Sequence, residues 1–402
     1  MLQNFILTNT DNTGSIPRAV LLALCDYSKG FNRIDHSKVI IRLSDWGVPG
    51  WILRILISYL TGRTMTLKYD GAVSLPQSLP GGSVQGSELG ILLFIVELSD
   101  AGMEVPTQPE KVSNIIDVIS LKQPEPLVTN EECRLKYIDD QTQGVVIRLD
   151  KELKLFENIE GPRNYHDRHG HVLPKENSRL QNRLNDITEY AKIHDLKLNG
   201  KKTKIMAFNF TRKYDFHPTL DLAENQLDVI YTTKLLGVFL TADCKWHENT
   251  SYIVSKAKKK IWYLRRLKAL GASIETLLEM YQKSARSVLE FGAPLWTEGL
   301  TQKNKKDIER VQKTCFKVIL GQHYSSYENA LETLEQETLE QRRKKISKKF
   351  AKNCSRNPKF SQFFRKVRNR SYKPFIEPNT KTKRAFMGSI PYLIRLLNED
   401  YK

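Results

Sequence analysis

The sequence predicts an α+β fold in which strands and helices mix up to about residue 240 and a basic, almost wholly helical region follows. Two observations carry that prediction. Short apolar runs bounded by turn residues alternate with helical periodicity as far as Leu240, and beyond Trp246 only helical periodicity is found. Charge is segregated the same way: residues 1–150 carry 13 Lys/Arg against 17 Asp/Glu, a net −4, and residues 151–402 carry 50 against 28, a net +22. An acidic half joined to a basic half suits a metal-binding centre beside a surface that follows a phosphate backbone. For a single basic run such as Arg342-Arg343-Lys344-Lys345, a solvated helix face is the plainer explanation.

The elements follow in order. Ala19 to Asp26 reads as a buried strand, because a short apolar run between turn signals fits a central sheet position. Helices are expected at about 36–46, stopping at Gly47, and at about 50–60, following Pro49. Thr64 to Tyr69 and Ala72 to Leu79, joined by Asp70-Gly71, give a strong hairpin signal. The loop Gly81-Gly82-Ser83-Val84-Gln85-Gly86-Ser87 leads into an apolar helix through about Leu98. Residues 101–130, rich in Pro, Glu and Thr, read as an inserted loop, and 157–175 as a second. Between them, Leu135 to Asp139 and Gln143 to Leu149 flank an acidic turn, placing Asp139 and Asp140 at a hairpin tip. A helix at about 176–196 leads through Leu198-Asn199-Gly200-Lys201-Lys202-Thr203 to a strand ending at Phe208, and Tyr231 to Leu240 reads as one further strand. Basic amphipathic helices near 250–269, 273–289, 303–320 and 338–351 complete the chain.

Several classes are set aside. At 402 residues and 40% apolar content the chain can build two or three cores. Its longest apolar runs fall well short of the ~20 residues of a membrane helix, and no opening segment has signal-peptide order, so a soluble intracellular protein is expected, nucleus or cytoplasm unresolved. Cys25, Cys133, Cys244, Cys315 and Cys354 lack zinc spacing and read as free thiols. His166, His169 and His171 have no carboxylate or thiol at helical spacing and read as part of a polar loop.

The chemistry lies in the carboxylates. Asp26 closes a strand, where it can leave the sheet edge toward a cleft, and Asp139 and Asp140 project from a hairpin. Mg²⁺ takes oxygen ligands and keeps only one or two protein carboxylates, so such a set can bridge two ions, the arrangement that serves nucleotidyl transfer. A strand-ending turn or helix cap is the structural alternative for Asp26.

In this order the motifs resemble the reverse transcriptase of non-LTR (LINE-type) retrotransposons, from about residue 19 to at least 350. Asp26-Tyr27-Ser28-Lys29-Gly30-Phe31-Asn32 is similar to the first catalytic motif, with His36 where these elements often carry a histidine. Gly82 to Gly90 resembles the template- and nucleotide-contacting loop, and Tyr137-Ile138-Asp139-Asp140 the metal hairpin. Leu198 to Thr203 resembles the lysine motif and Lys234-Leu235-Leu236-Gly237-Val238 the primer-grip strand. The match departs at Asn32, Val84 and Gln141, none of them a metal ligand in the family, and it is truncated at the N-terminus.

The resemblance implies a right-hand polymerase: residues 1–18 a remnant of fingers, 19–240 a palm of antiparallel sheet backed by helices, 241–402 a helical thumb and basic extension. It implies an RNA-directed DNA polymerase with two Mg²⁺, Mn²⁺ able to substitute, held by Asp26, Asp139 and Asp140. Its partners would be an RNA template, a DNA primer and deoxynucleoside triphosphates. Lys29, Phe31, Gln85 and Gly86 would bind the nucleotide, and Lys234, Leu236 and Gly237 the primer. Phe31 would press where a ribose 2′-hydroxyl lies, and Lys202 would be the general acid or charge partner for pyrophosphate. A core phenylalanine and a solvated lysine are the structural alternatives for those two. A catalytically inactive retroelement relic that binds nucleic acid is one alternative functional reading, and an RNA-directed RNA polymerase, which shares the two-metal hairpin, is a second.

Overall fold

The computed structural model describes residues 1–11, 18–28, 30–79, 81–83, 88–98, 127–128, 132–137, 140–148, 171–173, 179–194, 196–211, 216–222, 225–367 and 374–399. It is a mixed α+β protein that divides into two units. One comprises Met1–Arg18, Phe208–Phe210 and Tyr231–Lys402; the other comprises Ala19–Ala207 and Thr211–Ile230. Helix α1 (Leu2–Thr10) therefore belongs with the C-terminal unit, where Gln3 Oε1 accepts from the Ser389 N–H at 3.1 Å and Asp11 accepts from the Lys381 and Thr382 N–H groups at 2.7 Å.

The N-terminal unit is built on strand β1 (Arg18–Cys25) and helices α2 (His36–Asp45), α3 (Gly50–Leu60) and α4 (Glu88–Glu97). They are followed by β2 (Leu127–Val128), β3 (Glu132–Tyr137), β4 (Asp140–Arg148), α5 (Arg179–Ile193), β5 (Lys204–Phe208) and β6 (Asp228–Val229). The six strands form one sheet in the order β6-β5-β1-β4-β3-β2. Strand β1 thus has a neighbour on each side, as its unbroken apolar run requires. Ala19, Leu21, Ala23 and Cys25 pack against Leu180, Leu184 and Ile187 of α5, which recur at helical spacing. A second core gathers Val39 and Leu43 of α2, Ile52, Leu56 and Leu60 of α3, and Leu93 and Phe94 of α4. Asp35 begins α2 by accepting from the Ser37 and Lys38 N–H groups, and Gly47, at φ +81°, lies just past its end.

Three expectations are corrected. The sheet is not wholly antiparallel: β2, β3 and β4 are antiparallel neighbours, but β5 and β6 run parallel, pairing Lys204 with Asp228 and Ile205 with Val229. The nineteen or so residues between them are long enough for a crossover rather than a hairpin. Both inserted segments contain a short strand: Leu127–Val128 adds the sheet edge, and His171–Leu173 pairs in parallel with Phe216–Pro218. The expected strand from Tyr231 to Leu240 is a hairpin, β7 (Thr232–Leu235) and β8 (Val238–Thr241), turned by Leu236 and Gly237 at φ +47° and +85°. Two central residues at positive φ make the tight turn that suits strand twist. The hairpin belongs to the C-terminal unit, where Asn249 Oδ1 accepts from the Phe239 N–H. The hairpin centred on Asp70-Gly71 forms as expected, both residues at positive φ.

The C-terminal unit is helical beyond the hairpin. Its core is made by α6 (His247–Ala269), α7 (Ile274–Met280) and α8 (Gln302–Leu320), with Ile253, Ala257, Ile261 and Leu264 of α6 facing Ile308, Val311, Cys315 and Ile319 of α8 around the fully buried Trp296. Helix α9 (Leu339–Arg356) starts with a capping box between Thr338 and Gln341, and α10 (Ser389–Asn398) packs its apolar face on a further core with Ala351 and Cys354. No helix among the described residues is long and apolar enough to cross a membrane.

One buried acid in the N-terminal unit has a consequence for stability. The Arg42 guanidinium donates to the Val96 and Glu97 carbonyls at 2.8 and 2.9 Å, closing the C-terminal end of α4. Beneath it the Glu97 carboxyl is 1% exposed, 3.4 Å from His194 Nδ1, and burial pushes its pKa up to about 7 against the pull of Arg42. A carboxyl that holds its proton more tightly folded than unfolded weakens the fold as pH rises. Stability present below pH ~4.5 is expected to fall by on the order of 3 kcal/mol between pH ~4.5 and ~7. Glu97→Gln should flatten that slope in thermal melts taken at pH 5 and pH 7.5.

Candidate active site

Asp26 follows β1 directly, and the chain around it is tied to the turn at 197–203. The Asn199 N–H donates to the Asp26 carbonyl at 2.9 Å, the Asp26 N–H donates to Thr203 Oγ1 at 3.3 Å, and the Ser28 N–H donates to the Lys197 carbonyl at 2.6 Å. Tyr27 and Leu198 form an antiparallel bridge between these bonds. Two motifs separated by more than 170 residues in the sequence are thus one local structure. Thr203 is fully buried, so its hydroxyl is committed to holding the Asp26 backbone.

The same bonds place Lys202. Asn199 accepts from the Lys202 N–H through both its carbonyl and Oδ1, and the turn sets the Lys202 ammonium 3.7 Å from Asp26 Oδ2. The Lys202 side chain is 70% exposed, so the pair is a surface contact that contributes little to stability. Asp26 Oδ2 itself is cut off from solvent and has no hydrogen-bond partner among the described residues. Helix α2 is capped by Asp35, which leaves Asp26 without that structural task.

The strands that flank the acidic pair lie in the same sheet. Strand β4 lies beside β1, and the Tyr27 hydroxyl donates to Gln141 Oε1 at 3.1 Å. Burial holds the Tyr27 phenol well above its usual pKa, so it stays a donor. The bond sets the end of β1 next to the start of β4, where Asp140 is the first residue and pairs with Tyr137 of β3. Asp139, Lys29, Gln85 and Gly86 lie outside the described residues, as does the side chain of Asp140.

Phe31 stacks on Phe94 of α4 with ring centroids 4.6 Å apart, half-buried against the second core. The root of the 81–87 loop docks beside it. The Ser83 N–H donates to the Phe31 carbonyl at 2.7 Å, the Gly82 N–H to the Ile34 carbonyl at 2.8 Å, and His36 Nε2 to the Gly82 carbonyl at 2.6 Å. Gly82 has φ +81°, and a Cβ there would lie 3.0 Å from the Asn32 backbone, so only glycine fits this approach. Lys234, Leu236 and Gly237 share the β7–β8 hairpin of the other unit, where Lys234 Nζ donates to the Tyr252 hydroxyl at 2.8 Å.

A divalent cation asks for carboxylate oxygens not already engaged in hydrogen bonds. Among the described residues Asp26 Oδ2 meets that condition, and with the carboxylates of Asp139 and Asp140 it would offer the hard oxygen chemistry Mg²⁺ prefers. Sequence reasoning did not find Thr203, Tyr27 and Gln141 as supports of the site. Thr203 closes the lysine motif and Gln141 follows the acidic pair, so adjacency to those motifs was the available signal. No protein-family model matches this chain, and no curated protein matches it.

Proposed function

We propose that this chain is a reverse transcriptase, adding deoxynucleotides to a primer 3′-hydroxyl on an RNA template, with the N-terminal unit as a polymerase palm. The observation that carries the reading is the convergence at Asp26: the lysine-motif turn is bonded to its backbone and the acidic hairpin begins beside it. Asp26, Asp139 and Asp140 would hold the ions, which supply a Lewis acid for the attacking hydroxyl and the leaving pyrophosphate oxygen. Lys202, 3.7 Å from Asp26, would balance phosphate charge or deliver a proton to pyrophosphate. Phe31, fixed by its stack on Phe94, is the bulky ring that would disfavour a 2′-hydroxyl.

Primer extension on an RNA template tests this. Incorporation of deoxynucleotides should require Mg²⁺ and be absent in Asp139→Ala and Asp140→Ala. Extension that persists unchanged in those variants overturns the reading. The net +22 of residues 151–402 favours a second one, a retroelement-derived protein that binds nucleic acid without polymerising. Salt-dependent binding with no incorporation by the wild type, even with Mn²⁺, would select it.

A further inference from the structure

Helices α6 and α8 of the C-terminal unit enclose a groove of about 820 Å³ that none of the motifs above uses. Four cations line it, Lys258 and Lys259 from α6 and Lys303 and Arg310 from α8, against one acid, Asp307. Asp307 is already engaged by Arg310 at 3.1 Å, and among the described residues no ion pair or hydrogen bond holds Lys258, Lys259 or Lys303. All three border the one groove, so an anion entering it would meet cations that no acid among the described residues holds.

The floor of the groove points the same way. Asn304 and Thr250 are each 3% exposed, yet among the described residues Asn304 Nδ2 and Thr250 Oγ1 have no hydrogen-bond partner. Asn304 Oδ1 faces His247 Nδ1 at 3.0 Å, which turns the amide donors away from the imidazole. A buried donor left unpaired costs stability, and a phosphate oxygen is an acceptor that would relieve it. Both helices also begin here, α6 at His247 and α8 at Gln302, adding the positive ends of two helix dipoles to the lysines.

Beyond the groove, the same face of α6 carries an exposed aromatic ridge. Ser251, Ser255, Lys258 and Trp262 recur at helical spacing on one stripe spanning ~16 Å. Trp262 is 59% exposed and Tyr263 48%, rings edge to face at 5.0 Å, with the Arg266 guanidinium 5.9 Å from the Trp262 centroid. An exposed tryptophan flanked by cations offers a face on which an unstacked base can lie.

We propose that the α6–α8 groove binds the phosphodiester backbone of a single-stranded nucleic acid and that Trp262 stacks on one of its bases. A paired duplex has no free base face for Trp262, which selects the single strand. The assignment does not depend on the polymerase reading, and its test reads binding alone.

The full-length chain is titrated with a fluorescent single-stranded oligonucleotide, and affinity is followed against salt. Lys258→Ala/Lys303→Ala should weaken binding about tenfold at 150 mM salt and make the log–log salt slope shallower by about 1.4, since each single-strand phosphate contact contributes about 0.7. Trp262→Ala should weaken binding by about five- to 150-fold with the salt slope unchanged, as expected for the loss of one base stack. Lys349→Ala/Lys359→Ala removes equal charge elsewhere and should leave affinity within about twofold of wild type. Equal losses for the two lysine pairs would overturn the proposal, because net charge alone would then explain binding. Equal affinity for duplex would overturn the single-strand assignment. Complete displacement of the oligonucleotide by millimolar inorganic phosphate would assign the groove to a small phosphate ligand and overturn the strand.

Discussion

Asp26→Asn is expected to lower Mg²⁺-dependent primer extension by about a thousandfold or more while leaving the melting temperature within a degree or two of wild type. The two halves of that expectation come from the same geometry. Asparagine keeps the shape and the backbone bonds to Thr203 and Asn199, which involve main-chain atoms of residue 26 rather than its carboxylate. What disappears is the charge on Oδ2, whose ion-pair partner among the described residues is the exposed Lys202 at 3.7 Å. An exposed pair of this kind is worth about 0–1 kcal/mol, so its loss leaves stability nearly unchanged. A carboxylate that carries a divalent ion contributes several kcal/mol in the transition state, and about 4 kcal/mol corresponds to a thousandfold. The discriminating measurement pairs single-turnover extension with a thermal melt. Activity that falls only in proportion to a drop in melting temperature would mean that Asp26 serves the fold as a turn residue.

The legibility of this site in the sequence was uneven for identifiable reasons. Strand β1 could be read because it is buried on both faces and is therefore an unbroken apolar run. Helix α2 could be read because Asp35 and Gly47 punctuate its ends, and the Asp70-Gly71 turn because both residues suit positive φ. Lys234-Leu235-Leu236-Gly237-Val238 misled because leucine rarely occupies the left-handed region, so the run looked like continuous strand. The glycine inside it was the signal of a turn or bulge. The parallel pairing of β5 with β6 and the edge strand at Leu127–Val128 rest on two residue pairs each, too short to leave a period. Thr203 is a further kind of case: a buried hydroxyl that accepts from a backbone 177 positions away leaves no pattern that local reading can detect.

The C-terminal unit contains the same residue type in two opposite situations, and the contrast yields the largest expected stability effect. Trp296 is fully buried, its Nε1–H donates to the Phe291 carbonyl at 3.0 Å, and the Arg343 guanidinium lies 5.9 Å from its ring. Trp296→Ala removes one of the two tryptophans of that core and leaves an acceptor without its donor, so a loss of about 3–5 kcal/mol is expected. In urea unfolding the midpoint should fall with little change in slope, since the surface exposed on unfolding is nearly the same. Trp262, on the exposed ridge of α6, should change stability by less than about 0.5 kcal/mol when replaced by alanine. A small loss for Trp296→Ala would mean that the helices do not close around this ring. A large loss for Trp262→Ala would mean that the ridge is structural, and the weakened binding expected of that variant would then reflect unfolding. Measured together, the two substitutions separate the tryptophan that holds the unit together from the one that the unit presents to a strand.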